Sequence, residues 1–159
     1  MIIPFYDVDG EVFALQGRAF GKEQPKYLTL KLDEKKQKIF GLDRVNLQKR
    51  LYIVEGPIDS LFIDNCLAAA GADLQLPVEK KDVVFVFDNE PRNKQIIDRM
   101  YRVIEKEYML VIWPEGQVEK DINDMIMNGK SKSDIQKIIS ENTYSGLSAL
   151  TQLNSYKRC

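Results

Sequence analysis

The sequence predicts an α/β protein: a parallel sheet flanked by helices, preceded by a small β-rich subdomain. Three observations predict it. From residue 51 onward, short apolar runs alternate with stretches of helical periodicity, the order that parallel strands and their right-handed crossovers impose. Residues 83–87 are continuously apolar, as expected of a strand covered on both faces. Residues 1–50 carry turn signals and period-two alternation instead. The 159 residues, 44% hydrophobic and 30% charged, suffice for one ordinary domain with a small appendage. The expected divisions are 1–50 (β-rich), 51–130 (parallel sheet) and 131–159 (helices covering the sheet).

Each element has its own local reason. Residues 2–6 form a short apolar run, Asp9-Gly10 is a hairpin turn signal, and residues 12–15 resume the run behind it. Residues 17–22 read as a basic, glycine-bracketed loop, and residues 27–32 as a strand that alternates from Leu28. Residues 51–54 are the next strand. Pro57 suits a first helical turn, and Ile58, Leu61, Phe62, Cys66 and Ala69 follow at helical spacing up to a stop at Gly71. A helix is therefore expected over 58–69. After the strand 83–87, Ile96, Ile97, Met100, Val103 and Ile104 mark one face of a helix over 93–107. Residues 108–113 form a strand, and three short helices are expected at 121–128, 133–140 and 143–153. No repeat, low-complexity tract or long linker interrupts the chain.

Composition excludes several chemistries. The chain has no histidine, which removes Ser-His-Asp and Cys-His catalysis and imidazole zinc sites. Its two cysteines, Cys66 and Cys159, form no C-x-x-C pair, so neither a zinc site nor a disulfide framework is expected. No apolar run approaches the roughly 18–20 residues of a membrane helix, and the first residues lack a signal-peptide layout. A cytoplasmic protein without a membrane partner is the expectation. With a formal net charge of −1, overall charge does not announce a nucleic-acid partner, although local basic patches could serve one.

The remaining chemistry is carboxylate chemistry. Ligands of parallel sheets bind beyond the C-terminal ends of the strands. Glu55-Gly56 follows the strand 51–54, Asp88-Asn89-Glu90 follows 83–87, and Lys120-Asp121-Ile122-Asn123-Asp124 follows 108–113 after a loop. Acids at three successive strand ends gather on one edge. Such an oxygen-only set suits Mg²⁺ or Mn²⁺, one or two ions that also engage a phosphate. Taken singly, Glu55-Gly56 reads as a turn, Asp88 to Glu90 as a helix-capping turn, and Asp59, Asp121 and Asp124 as first-turn acids.

These residues resemble a known family. Glu55-Gly56-Pro57-Ile58-Asp59-Ser60-Leu61 is similar to the first motif of Toprim domains, Asp88-Asn89-Glu90 to the second, and Lys120-Asp121 to the third motif of Toprim primases. Together with Gln16-Gly17-Arg18-Ala19 and Asp88-Asn89-Glu90-Pro91-Arg92, they resemble the DNA primases of T-even-type bacteriophages over nearly the whole chain. The resemblance implies a Toprim-like sheet and RNA primer synthesis on single-stranded DNA, in which a 3′-hydroxyl attacks the α-phosphate of a ribonucleoside triphosphate. It implies Glu55, Asp88, Glu90 and Asp121 as catalytic and metal-binding residues, with Asp124 a further ligand. It implies nucleotide contacts from Arg18 and Lys26, and Gly56 and Asp59 as supports of the site. Arg92, beside the acids, would neutralise phosphate. A hexameric replicative helicase is the implied partner. Two departures stand out: Glu90 replaces the usual aspartate, and Asp124 falls three residues after Asp121 rather than two. Primases of this kind also carry an N-terminal zinc module that this chain cannot build. The abrupt start at Met1-Ile2-Ile3 therefore suggests a C-terminal catalytic portion of a longer protein.

Other readings stay open at this point. A Toprim-type metal-dependent nuclease uses the same acids for hydrolysis. A non-catalytic docking module of a replication complex would not need them. A topoisomerase would need a strand-passing tyrosine on a separate large domain.

Overall fold

In the computed structural model, residues 1–21, 24–25, 27–69 and 78–159 are described. Three antiparallel strands come first: β1 (Ile2–Tyr6), β2 (Val12–Arg18) and β3 (Tyr27–Lys31), paired in that order. Gly10, at φ 81°, closes the first hairpin, and Asp7 braces the turn by accepting from the amides of Asp9 and Glu11. Ile3, Phe5 and Ala14 are buried on the inner face, whereas Ile2, Leu28 and Leu30 stand exposed on the outer one.

The second sheet contains β4 (Ile39–Phe40), β5 (Leu51–Val54), β6 (Cys66–Ala69), β7 (Val83–Phe85), β8 (Met109–Val111) and β9 (Thr143–Tyr144). Their spatial order is β4-β6-β5-β7-β8-β9. The central four are mutually parallel, and β4 and β9 close the edges antiparallel. Alternation along the strands supplies two cores. Leu51, Ile53, Val83, Phe85, Phe87, Leu110 and Ile112 face α1 (Lys94–Glu105) and α4 (Gly146–Tyr156). Val54, Val84, Val86, Val111 and Trp113 face α2 (Ile122–Met127) and α3 (Lys132–Glu141). The result is a helix–sheet–helix sandwich, with every central strand buried on both faces. Asn93 caps α1, Asp121 caps α2, and Ser131 with Asp134 forms a capping box on α3.

The helix expected over 58–69 does not form. Only a single 3₁₀ turn, Asp59–Leu61, follows Pro57, and Cys66 to Ala69 is the strand β6. Asn65 makes the break. It adopts φ 51°, and its side chain donates to the carbonyls of Asn46 and Arg50 at 3.0 and 2.8 Å while accepting from the Asn46 amide at 2.7 Å. The chain is then launched between β4 and β5, where four consecutive buried residues suit a sheet interior. An apolar run this short does not distinguish a helix from a buried strand. Gly71, the expected helix stop, lies outside the described residues, as does Lys26. Two smaller corrections follow. Gly17 and Arg18 extend β2 rather than a loop, and the last helix begins at Gly146 because Thr143 and Tyr144 pair with β8.

Candidate active site

A cavity of about 610 Å³ lies between the two sheets. Its acidic floor is made of Glu55, Asp59, Asp88 and Asp121; Lys38 and Lys120 line it too, and the opposite wall carries Phe5, Gln16 and Tyr27. Glu55 stands one residue beyond β5, and Asp88 follows Phe87 at the end of the buried run continuing β7. Asp121 sits at the start of α2, and Asp59 in the 3₁₀ turn behind Glu55. The parallel register thus converts acids from three distant stretches of sequence into one cluster.

Local contacts hold Glu55, Asp59 and Asp121 and brace the loop that carries Asp88. Arg99 of α1 pairs with Glu55 Oε1. Asp59 Oδ1 accepts the Asn123 amide at 2.9 Å, tying the first acidic turn to α2. Gly56 has no Cβ, and one placed there would collide with Asp59 Oδ2. Arg44 donates to Ser60 Oγ at 2.5 Å and stacks on Phe40, and Ser60 Oγ donates to the Pro57 carbonyl. Asp121 Oδ1 accepts the Asp124 amide at 2.7 Å as the cap of α2. Asn89 staples the second acidic loop: its Nδ2 donates to the carbonyls of Gln117 and Glu119, and its Oδ1 accepts from Tyr156 at 3.0 Å.

The crowding shows in the proton affinities. Burial first, then the charges of Glu55, Asp59 and Asp121, pushes Asp88 up to about 7. Burial also raises Asp59 to about 6, with Asp121 adding to the rise and the Asn123 amide and Arg18 opposing it. A cluster that resists ionisation in this way favours a cation among its carboxylates.

Other expected residues lie at the margin. Glu90 does not line the cleft; it borders a second depression with Pro91, Arg92 and Asn93. Burial works against its ionisation, but Lys120 at 3.0 Å and a hydrogen bond from Asn93 hold it below the usual carboxylate range. Arg92 is exposed beside it, and Asp124 is exposed outside the cleft. Arg18 packs its guanidinium over Tyr27 and bears electrostatically on Asp59. Arg99, Asn89 and Tyr156 belong to the site although sequence reading gives none of them a role. Arg99 pairs with an acid 44 residues away, a link no local pattern announces.

The donor set fits a hard divalent cation in kind, being all carboxylate oxygen. Among the described residues, however, no three carboxylates draw close enough to enclose an ion unaided.

Comparison with known proteins places this geometry. The chain is 37% identical to the DNA primase of Enterobacteria phage T4 over 163 residues, covering 99% of this chain and 47% of that protein. The chain is similar to that DNA primase along almost its whole length. A primase of Synechococcus elongatus is 29% identical over 66% of this chain and 18% of its own length. The chain thus spans about half or less of the curated primases it matches. Solved primase structures share the fold. The Escherichia coli primase catalytic core superposes with a TM-score of 0.68 at 22% identity, covering 97% of this chain and 55% of that one. A DnaG primase catalytic domain bound to single-stranded DNA gives 0.69 at 20% identity, covering 97% and 54%. The Aquifex aeolicus primase, with its zinc-binding and RNA polymerase domains, gives 0.67 at 22%, covering 90% and 40%. No family model matches the chain. No helix among the described residues is long and apolar enough to cross a membrane.

Proposed function

We propose that this chain is the catalytic portion of a DNA primase, which builds short RNA primers on single-stranded DNA by nucleotidyl transfer. The observation that carries the reading is the cleft in which Glu55, Asp88 and Asp121 converge at the strand ends, where burial and then the neighbouring acids lift Asp88 to about 7. Similarity to a phage primase along 99% of the chain supports it. In this reading Glu55, Asp88 and Asp121 hold the metal, with Asp59 and Gly56 supporting the turn behind Glu55. Glu90 joins only on releasing Lys120, and Asp124 only through movement of the α2 terminus.

Glu55, Asp88 and Asp121 would hold two Mg²⁺ or Mn²⁺ ions, which would supply positive charge against the substrate's phosphates. The chain's own residues position and balance charge. Arg99 keeps Glu55 in a fixed orientation, and the Asn89 staple does the same for Asp88. Arg18, across the cleft, offers a planar fork for phosphate, and the resemblance adds Lys26 and Arg92 as further cationic groups for the nucleotide. The template is single-stranded DNA, the substrates are ribonucleoside triphosphates, and a hexameric helicase is the partner this role implies. The setting is the cytoplasm.

A gel assay tests the proposal. The chain is incubated with end-labelled single-stranded DNA, Mg²⁺ and labelled ribonucleotides, alone and with a zinc module and helicase supplied, beside Glu55→Gln. New short RNA that vanishes in Glu55→Gln is the expected result. Shortened DNA without RNA would assign a nuclease. No product even in the supplemented reaction would overturn the catalytic reading in favour of a docking module.

A further inference from the structure

The wall of the cleft opposite the acids carries a polar atom that the fold leaves unsatisfied. Gln16 lies in β2, opposite Thr29 of β3, and is only 5% exposed. Its Nε2 donates to Thr29 Oγ1 at 3.0 Å. Its Oε1 is buried, lines the same cavity as Glu55 and Asp88 through its residue, and has no hydrogen-bond partner among the described residues. No other buried side-chain polar atom among them is in that position. An orphaned buried acceptor costs about 1–3 kcal/mol, a cost that an apolar side chain of the same length avoids. Such an atom calls for an explanation, and a ligand in the cavity that Gln16 lines supplies one.

We propose that Gln16 reads the nucleoside part of a nucleotide held in this cleft, its Oε1 accepting a hydrogen bond from an uncharged O–H or N–H donor. This deepens the nucleotidyl-transfer reading and rests on it. The chemistry selects the donor. A carboxamide oxygen repels phosphate, which offers only acceptors at neutral pH, so the phosphates belong with Arg18 and Lys120. The cleft around Gln16 also presents Phe5, Tyr27 and Ile39, an apolar and aromatic surface suited to a sugar or base. A donor there is either a ribose hydroxyl or a base N–H. A site built to bond such a group rejects the analogue that lacks it, because the acceptor is then left unpaired.

The test pairs calorimetric binding with thermal melting, using ATP and 2′,3′-dideoxyadenosine triphosphate with Mg²⁺. Wild type is compared with Gln16→Met, which keeps the length of the side chain, and with Gln16→Leu as a second apolar variant. The expected result is ATP binding weakened about tenfold or more in both variants, with no fall in the Tm of the free protein. Weakening confined to ATP assigns a sugar hydroxyl as the donor; equal weakening of both nucleotides assigns the base. Unchanged affinity for both nucleotides, or unchanged affinity with a lowered Tm, overturns the role of Gln16 and leaves the primase reading standing. A wild-type chain that binds neither nucleotide overturns both.

Discussion

At the scale of single residues, the site trades stability for charge. Asp59 and Asp88 titrate near about 6 and about 7 against an ordinary 3.8, so the folded state holds their protons more tightly than the unfolded chain does. Their contribution to stability is fully present below the unfolded value of 3.8 and is lost as pH rises through about 6 and about 7. Asp88→Asn removes one of the crowded charges without changing shape. It should raise Tm by roughly 2–4 °C at pH 8, for about 1 kcal/mol, and leave it unchanged near pH 5. Melting curves at the two pH values check this, and an equal shift at both would sink the charge argument. Gly56 is the second residue-scale case. Gly56→Ala drives a methyl group into Asp59 Oδ2 and should cost about 1–3 kcal/mol. Adding Asp59→Ala should recover part of that loss in denaturant titrations, because the collision partner is gone. The acids themselves were legible in the sequence, since position at a strand end is a local property. The groups that hold them were not: Arg99 and Asn89 act through contacts made only after folding.

Among the elements, legibility followed the strength of periodicity. The twelve residues of α1 present four buried positions on one face, and that pattern survives translation from sequence to structure. β6 fails the same test because its apolar residues also satisfy a helical spacing. The deciding residue is Asn65, whose left-handed backbone and three side-chain hydrogen bonds turn the chain into the sheet. Asn65→Ala should destabilise the protein by about 2–3 kcal/mol, losing those bonds and straining the backbone. Asn65→Gly should cost less than Asn65→Ala, because glycine tolerates the conformation. Urea unfolding of the two variants checks the order, and a greater loss in the glycine variant would refute this account. β4 and β9 escaped sequence reading because two-residue edge strands carry no period of their own.

Across the whole molecule, the cleft belongs to neither sheet alone. The small antiparallel sheet supplies Phe5, Gln16 and Tyr27, and the parallel sheet supplies the acids. The C-terminal helix is joined to the same machinery. Tyr156 reaches Asn89, the Arg158 amide donates to the Pro91 carbonyl at 2.8 Å, and burial together with Glu90 and Asp88 pushes the Tyr156 phenol up. Tyr156 and Arg158 therefore brace the second acidic loop while α4 packs on the sheet. Tyr156→Phe removes one hydrogen bond and should lower Tm by roughly 2–4 °C, for about 1 kcal/mol. Primer synthesis should fall more in Tyr156→Phe than in Tyr101→Phe, whose hydroxyl contacts Asn154 and Lys157 rather than the acidic loop. Equal losses in the gel assay would mean that α4 only covers the sheet.

The chain's one tryptophan has an optical consequence. Trp113 is 3% exposed, and its indole N–H donates to the Phe87 carbonyl at 2.8 Å, immediately before Asp88. Its emission is therefore free of any second indole and sits one peptide unit from the most perturbed carboxyl of the cleft. On the proposed reading, a titration with Mg²⁺ should change the intrinsic fluorescence, with no label or coupled reaction needed. Because Asp88→Asn leaves the indole and its carbonyl acceptor in place, loss of the Mg²⁺ response in that variant would assign the signal to the acidic cleft.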